Sequence, residues 1–236
     1  MSVNETPVEN PVRLDVWSDI ACPWCFIGSR KLEEALEVER AAGRQVVARH
    51  RPFQLMPEMP IDGLPAQAYL AEKFGGPERL AELFDRVEMA GRDAGIAINQ
   101  RAMPKVANTR FAHSVVLAFD GEASQREVLL ALFSAYFESA LDITDQSVVL
   151  DVAARAAGES VDDVKARISA QPDGALDDDL ALGRELGVSS VPTFVADVGV
   201  PDEALGISSA AVALQGAQAA EALGQLFAEA RLRAQS

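Results

Sequence analysis

The chain contains two cysteines, and both lie in one short motif, Cys22-Pro23-Trp24-Cys25. Two cysteines separated by two residues can close into a small disulfide loop and open again, which is typical of a redox-active dithiol. In thiol–disulfide exchange a thiolate attacks a disulfide, and a mixed disulfide forms as the intermediate. The motif therefore predicts reversible disulfide chemistry.

The residues around the motif predict a strand followed by a helix. Residues 12–17 (VRLDVW) are typical of a strand, and residues 26–42 carry apolar side chains at helical spacing. Cys22 then caps a helix that begins with Pro23, a residue suited to the first helical position. Because a helix N-terminus presents unpaired N–H groups and a positive dipole end, it favours a thiolate there. We expect Cys22 to attack first, and Cys25 to resolve the mixed disulfide.

Two other uses of the cysteine pair are open on these residues alone. One is half of a structural zinc site, which needs four ligands, and the remaining candidates His50 and His113 lie at unsuitable spacings. The other is a buried pair with no chemistry. We predict no metal at this motif.

A second signal is the dipeptide Val191-Pro192 at the head of a short apolar run, residues 188–196. Proline cannot donate to a β-ladder, so it belongs at the start of a strand or at a bulge. A cis peptide bond would suit a tight entry of this kind, and an ordinary trans proline at the start of a strand is the alternative.

Charge and composition exclude several classes of partner. The chain has 21 basic and 36 acidic residues and a net charge of −15, which argues against binding a nucleic-acid backbone or an anionic membrane surface. No run of about 18 apolar residues and no signal-peptide pattern occurs, so we expect a cytoplasmic protein. In the cytoplasm a disulfide is usually transient and catalytic, which favours a redox role for the pair.

The order of predicted elements places the two chain ends in one sheet. A β-α-β unit with a second strand at residues 45–51 opens the chain, and seven helical segments follow between residues 66 and 186. Strands at residues 188–196 and 211–214 and a helix at residues 217–232 close it. Neither end alone can bury both faces of its strands, so the two ends must share one sheet.

Seven segments spread over almost the whole chain resemble the DsbA-like thioredoxin-fold oxidoreductases, and within them the FrnE-like branch. They are SDIACPWCFIG (18–28), RPFQLMPEMPIDG (51–63), YLAEKFGG (69–76), NTRFAHSVVLA (108–118), LFSAYFESALDITD (132–145), ELGVSSVPTFV (185–195) and LQGAQAAEAL (214–223).

This resemblance implies an α/β thioredoxin fold with a large all-helical insertion. The implied organisation is a thioredoxin-fold domain at residues 12–64 and 188–236, an insertion domain at residues 65–187 and a tail at residues 1–11. Residues 198–213 look longer and more irregular than the usual hairpin of the family.

The resemblance also implies the roles of the site residues. Cys22 is the implied nucleophile and Cys25 the resolving thiol, with Trp24 between them. A cis Val191–Pro192 bond is implied to pack against the dithiol, where the Val191 backbone can pair with a substrate polypeptide. The implied partners are protein or small-molecule thiols and disulfides and a recycling reductant or oxidant. No metal or organic cofactor is implied, and glutathione is a candidate co-substrate.

Two further residues have both a functional and a structural interpretation. His113, on a predicted helix of the insertion, could assist proton transfer near the dithiol or could be a hydrogen-bonded structural histidine. Asp19, three residues before Cys22, could influence the thiolate or could simply hold the turn. His50 lies at the end of the second predicted strand, and we expect it at the surface.

Two other functions remain open for this architecture. One is a glutathione-dependent isomerase or transferase, such as 2-hydroxychromene-2-carboxylate isomerase, although those enzymes generally carry Ser where Cys22 stands. The other is a non-catalytic module that binds peptides or holds unfolded chains beside Pro192.

Overall fold

A computed structural model describes residues 11–119, 121–198 and 207–234 of the chain. The predicted tail, apart from residue 11, lies outside the described residues. Residues 199–206, which belong to the segment predicted to be irregular, also lie outside them.

The described elements follow one another in an α/β order, with two strands at each end and most of the helices between them. In chain order they are β1 (Val12–Ser18), α1 (Pro23–Ala41), β2 (Val46–Pro52), β3 (Leu64–Pro65), α2 (Ala66–Phe74), α3 (Pro77–Asp93), a 3₁₀ turn (Gln100–Ala102), β4 (Lys105–Val106), α4 (Arg110–Leu117), α5 (Glu122–Phe137), α6 (Gln146–Ala157), α7 (Val161–Ala170), α8 (Ala175–Glu185), β5 (Thr193–Asp197), β6 (Val212–Gln215) and α9 (Ala220–Arg233).

The central sheet joins the two ends of the chain, as the sequence predicts. Its strand order is β2-β1-β5-β6. Strand β1 pairs in parallel with β2, with Leu14 opposite Ala48, and antiparallel with β5, with Val16 opposite Phe194. Strand β6 pairs antiparallel with β5 at the edge of the sheet. The fold is therefore a thioredoxin fold whose sheet is completed only when both ends meet.

Helices cover both faces of this sheet. Alternate residues of β1, among them Leu14 and Val16, pack against α1 and α9 in one buried cluster with Leu36 and Phe227. On the opposite face Trp17 is completely buried and packs against residues of α8. Successive side chains of a strand point to opposite faces, and β1 is buried on both of them from Val16 to Ser18, as a strand covered on both sides requires.

Ion pairs fasten α8 to the second face of the sheet. Arg51 of β2 donates to Asp15 of β1 at 2.6 Å and to Asp179 of α8 at 2.5 Å. The Arg51 side chain is 10% exposed, so one guanidinium with two carboxylate partners links three elements in a largely dry setting.

The segment between β2 and β5 contains a short two-stranded sheet besides its helices. Leu64 pairs with Val106 and Pro65 with Lys105 in an antiparallel ladder. Hydrophobic periodicity does not predict this ladder, because two residues per strand are too few to show an alternation. Helix α7 begins with a capping box between Ser160 and Asp163.

His50 is buried, which corrects the expectation that it lies at the surface. Its side chain lies under α4 and α5, and its backbone N–H donates to Oε1 of Gln125 at 2.8 Å. Burial, assisted by the charge of Arg126, lowers the pKa of His50 to about 4. The imidazole is therefore neutral near pH 7. The sequence suggested a surface position because His50 is at the end of a strand, and it did not show which helices cover that end.

Helix α1 approaches the start of β5 closely at Gly28. A Cβ added to Gly28 would lie 3.0 Å from Cγ of Pro192 and 3.6 Å from both Ala217 and Phe194. The 3.0 Å contact with Pro192 is shorter than an ordinary van der Waals separation, and the proline ring cannot rotate away. The missing side chain at Gly28 therefore allows the helix that carries the dithiol to lie against Pro192.

We predict that Gly28→Ala lowers the free energy of unfolding by about 1 kcal/mol, because overpacking of about 1–3 kcal/mol exceeds the helix propensity gain of about 1 kcal/mol. The matched control is Gly224→Ala in α9, where an added Cβ meets no atom within 4 Å. That variant should gain up to about 1 kcal/mol. Urea denaturation measures both values. Equal stabilisation by the two substitutions would contradict the close approach.

Candidate functional site

The dithiol lies at the N-terminus of α1, where the sequence predicts it. Cys22 is the N-cap, with extended backbone angles (φ −103°, ψ 111°), and Pro23 occupies the first helical position. The Cys22 N–H donates to the Asp19 carbonyl at 2.9 Å, and the Cys25 N–H donates to the Cys22 carbonyl at 3.0 Å. These two bonds fix the turn that separates the cysteines.

The two thiols differ in burial and in their surroundings. Cys25 is completely buried, whereas Cys22 is 5% exposed, and neither is in a disulfide. Burial raises the pKa of the Cys25 thiol well above its ordinary value, and its hydrogen bond with the Cys22 thiol raises it further. Cys25 is therefore a protonated thiol at neutral pH in the reduced protein.

The loop that enters β5 lies against Cys22. The Val191–Pro192 peptide bond is cis, and the Val191 carbonyl oxygen lies 4.0 Å from Sγ of Cys22. The fold thus brings residue 22 together with residues 191 and 192, which are about 170 positions away in the sequence. The Val191 side chain is half-buried, and Pro192 is buried.

Asp19 and His113 form a buried pair beside the dithiol turn. The Asp19 carboxylate is 1% exposed, and its oxygens accept hydrogen bonds from the backbone N–H groups of Ala21 at 3.1 Å and Leu55 at 2.7 Å. Nε2 of His113 lies 3.4 Å from Asp19 Oδ1. The Asp19 carboxylate therefore links the turn before Cys22 to the segment that follows β2.

An apolar cavity of about 400 Å³ opens next to Cys22, and we call it the dithiol cavity. It lies between the start of α1 and helices α2 and α3. Trp24 is at its rim and is 41% exposed. Its walls are Ala21, Cys22, Pro23, Trp24, Leu55, Met56, Leu70, Lys73, Phe74, Leu80, Leu83, Phe84, Val87, Gln100, Met103, Val106 and Tyr136.

Sequence reasoning missed most of this cavity and the close contact at Gly28. The walls come from α2, α3 and the 3₁₀ turn, and their apolar residues have the same spacing as core residues. Trp24, Leu55 and Phe74, large apolar residues that remain between 41% and 43% exposed, distinguish these walls from an ordinary core. Exposure is a property of the folded chain and has no signature in the spacing of residues.

Among residues 11–119, 121–198 and 207–234 no group of three or more His, Cys, Asp or Glu side chains is arranged to hold a metal ion. Within the same ranges no helix has the length and apolarity needed to cross a membrane.

Solved structures with the same fold include several thiol–disulfide enzymes. A probable DsbA oxidoreductase from Streptomyces coelicolor is 26% identical, with a TM-score of 0.75 over 93% of this chain and 89% of that chain. The cytosolic disulfide reductase DsbM from Pseudomonas aeruginosa, solved with GSH, is 19% identical, with a TM-score of 0.58 over 93% and 96%.

A different activity occurs on the same fold. A 2-hydroxychromene-2-carboxylate isomerase is 16% identical, with a TM-score of 0.60 over 94% of this chain and 97% of that chain. At that identity the likeness concerns the fold alone. Among curated proteins none matches the sequence.

The family follows from the sequence itself. Residues 13–228 match the DSBA-like thioredoxin domain, which is most of the chain and includes both halves of the sheet and the helices between them. The chain belongs to the DSBA-like thioredoxin domain family.

Proposed function

We propose that the protein is a thiol–disulfide oxidoreductase in which Cys22 is the nucleophile and Cys25 the resolving thiol. One observation carries the proposal. Sγ of Cys22 lies at the N-terminus of α1 and beside the Val191 carbonyl, while Cys25 lies completely buried one turn into the helix. A helix N-terminus favours an anion, and burial favours a neutral thiol, so the two cysteines take different roles.

The chemistry proceeds in two exchanges. The Cys22 thiolate attacks one sulfur of a substrate disulfide, a mixed disulfide forms, and the other substrate sulfur leaves as a thiolate that takes up a proton. Cys25 then loses its proton and attacks Sγ of Cys22. The second substrate thiolate leaves, the substrate is reduced to two thiols, and the protein is oxidised to the Cys22–Cys25 disulfide. The same steps in reverse oxidise a dithiol substrate.

The proposed partners are protein or small thiols and disulfides, together with a reductant or oxidant that resets the dithiol. The exchange needs no metal or organic cofactor, because both electrons are held by the two sulfur atoms. Val191 is the proposed backbone contact for a substrate polypeptide. We propose a cytoplasmic location, which the acidic sequence and the fold shared with a cytosolic disulfide reductase support. Glutathione is a candidate co-substrate, because the cytosolic disulfide reductase of the same fold was solved with GSH.

The isomerase of the same fold is the competing function. Its support is the fold likeness at a TM-score of 0.60 and 16% identity, which concerns the fold alone. The sulfur pair of this chain argues against it, because a second thiol at Cys25 serves an exchange reaction and has no evident use in an isomerisation. Glutathione binding without oxidation of the cysteines would favour the isomerase. Equal protection of an aggregating protein by wild type and Cys22→Ser would favour a holdase.

We predict that the wild-type dithiol oxidises reversibly and catalyses reduction of a model disulfide in the presence of a reductant. Cys22→Ser should abolish this turnover, because it removes the attacking sulfur. Cys25→Ser should instead accumulate a mixed disulfide at Cys22, since the second exchange is lost. Thiol titration and intact-mass measurement follow both outcomes. Two free thiols after treatment of wild type with a mild oxidant would contradict the proposal.

We also propose Asp19 as a positioning residue that tunes Cys25 by its charge. Burial and the Cys22 thiol raise the pKa of Cys25 most, and the Asp19 carboxylate raises it as well, while a hydrogen bond with the Asp19 backbone acts in the opposite direction. His113 packs against that carboxylate and contributes to its position. The pair therefore helps to keep Cys25 protonated until it resolves the mixed disulfide.

We predict that Asp19→Asn shifts ionisation of Cys25 to lower pH, because removal of a nearby negative charge favours the thiolate. The measurement is a pH titration of thiolate absorbance in a Cys22→Ser background, with and without Asp19→Asn. The control is Asp145→Asn, which removes an exposed charge at the N-cap of α6 and keeps a capping side chain. If Asp19 only holds the turn, Asp19→Asn will lower stability and leave the titration midpoint unchanged.

A further inference from the structure

The dithiol cavity has an exposed apolar rim and a buried floor. Trp24, Leu55 and Phe74 at the rim are each between 41% and 43% exposed. Leu80 and Tyr136 also line the cavity and are 4% and 1% exposed. Large apolar side chains kept in water around a concave site gain free energy when an apolar group covers them. The cavity is therefore suited to an apolar group that enters beside the dithiol.

Lys73 supplies the positive charge of this cavity. Among the described residues that line it, Lys73 is the only one with an ionic side chain apart from the reactive Cys22. The Tyr136 hydroxyl is already engaged, since it donates to the Lys105 carbonyl at 3.0 Å and accepts from the Ala107 N–H at 3.2 Å. Lys73 is exposed, so its ammonium group is accessible to a ligand that enters the cavity.

Lys73 has no carboxylate partner in the part of the chain that the structure describes, and this distinguishes it from the other three lysines. Lys31, Lys105 and Lys165 each have their ammonium nitrogen within 3.5 Å of a carboxylate oxygen. The Lys73 ammonium group instead lies 5.7 Å from the centre of the Tyr69 ring, one turn earlier on α2. The chain has 36 acidic residues, so acidic partners are not scarce. An unpaired cation at an apolar cavity indicates that a ligand supplies the anionic group.

We propose that the dithiol cavity is a substrate subsite for small thiols and disulfides whose sulfur is carried on an apolar chain that ends in an anionic group. The apolar chain lies along the walls from α2 and α3, the anionic group lies at the Lys73 ammonium, and the sulfur lies at Sγ of Cys22. The cavity volume of about 400 Å³ is in the range of small-molecule sites. This inference rests on the proposed oxidoreductase function and names its substrate class.

The reaction of a dithiol of this class balances within the proposed chemistry. One ligand thiolate attacks Sγ of Cys22 in the oxidised protein, the Cys22–Cys25 bond breaks, and the Cys25 thiolate takes up a proton. The second ligand thiol loses its proton and attacks the ligand sulfur bound to Cys22, which leaves as a thiolate. The ligand is oxidised to a cyclic disulfide, and the protein is reduced to two thiols. The same steps in reverse reduce the cyclic disulfide.

The test compares the rates at which dihydrolipoate, dihydrolipoamide and dithiothreitol reduce the oxidised protein, measured by intact mass after alkylation. The first two reagents share one dithiol and one apolar chain, and they differ only in a terminal carboxylate or amide. Dithiothreitol reports the sulfur chemistry without the apolar chain. We expect Lys73→Gln to lower the rate ratio of dihydrolipoate to dihydrolipoamide by about threefold, which is the effect of one exposed ion pair. About 1 M salt should lower the wild-type ratio similarly.

Two further variants separate a contact at the cavity from a general effect of charge. Lys165→Gln removes an exposed lysine outside the cavity, so it changes the net charge equally and should leave the ratio unchanged. Lys73→Arg keeps the charge and should keep the ratio. Lys73 also lies in the last turn of α2, where a cation stabilises the helix end. If that is its whole role, Lys73→Gln will lower stability and leave the ratio unchanged, which would overturn the proposal.

Phe74→Ala tests the apolar part of the subsite and removes a side chain that is already 41% exposed. It should slow dihydrolipoate and dihydrolipoamide equally, by about fivefold, because less apolar surface is covered. The reaction with dithiothreitol should be unchanged. The control is Met89→Ala on α3, since Met89 is 56% exposed and lies outside the cavity, and none of the three rates should change.

The outcomes separate failure of the inference from failure of the proposed function. A cysteine pair that forms no disulfide, or a disulfide that none of the three dithiols reduces, would reject the oxidoreductase itself. Normal reduction by all three reagents, with rates that neither Lys73→Gln nor Phe74→Ala changes, would reject the subsite and leave the oxidoreductase intact. An effect of Phe74→Ala on dithiothreitol as large as on the other two reagents would also reject the subsite.

Discussion

The meeting of α1 with the entry to β5 is the contact on which the site depends. A Cβ at Gly28 would lie 3.0 Å from Cγ of Pro192, so the helix and the proline are in direct contact. At the N-cap of the same helix, Sγ of Cys22 lies 4.0 Å from the Val191 carbonyl oxygen. Both contacts join the N-terminal half of the sheet to its C-terminal half. The pairing of β1 with β5 fixes them, so Sγ of Cys22 acquires its surroundings only when both ends of the sheet have come together.

The same architecture gives two chemically identical thiols different properties. Cys22 is at the open end of α1, where backbone N–H groups and the helix dipole favour an anion. Cys25 is completely buried, and burial together with its neighbours raises its pKa. An exchange reaction needs this asymmetry, because the first thiol must be ionised and the second must stay protonated until the mixed disulfide exists. Position along one helix places the two thiols in these different surroundings.

The sequence predicts the parts of the site that are local. Residue types and spacing predict Cys22 as the N-cap, Pro23 in the first helical turn, and a strand before and after helix α1. The structure agrees with each of these predictions. The resemblance implied the cis bond at Pro192, and the structure contains it. The membership in the DsbA-like family is confirmed, while the FrnE-like branch and the division into two domains stay predictions.

The parts that the sequence did not predict are set by packing between distant segments. His50 looked exposed because a strand end carries no sign of the helices above it, and α4 and α5 bury it. Gln100 lies in a short turn, and only the folded chain shows that its buried side-chain oxygen lacks a hydrogen-bond partner among the described residues. The two-residue strands β3 and β4 are too short for periodicity to show.

Alkylation of the reduced, native protein by iodoacetamide near pH 7, with the modified residue located by mass spectrometry, examines the asymmetry of the two thiols. The account predicts that Cys22 is carboxamidomethylated first and that Cys25 stays unmodified, whereas both react when the chain is unfolded in urea. Modification of Cys25 as fast as Cys22 in the native state, or of neither cysteine, would contradict it.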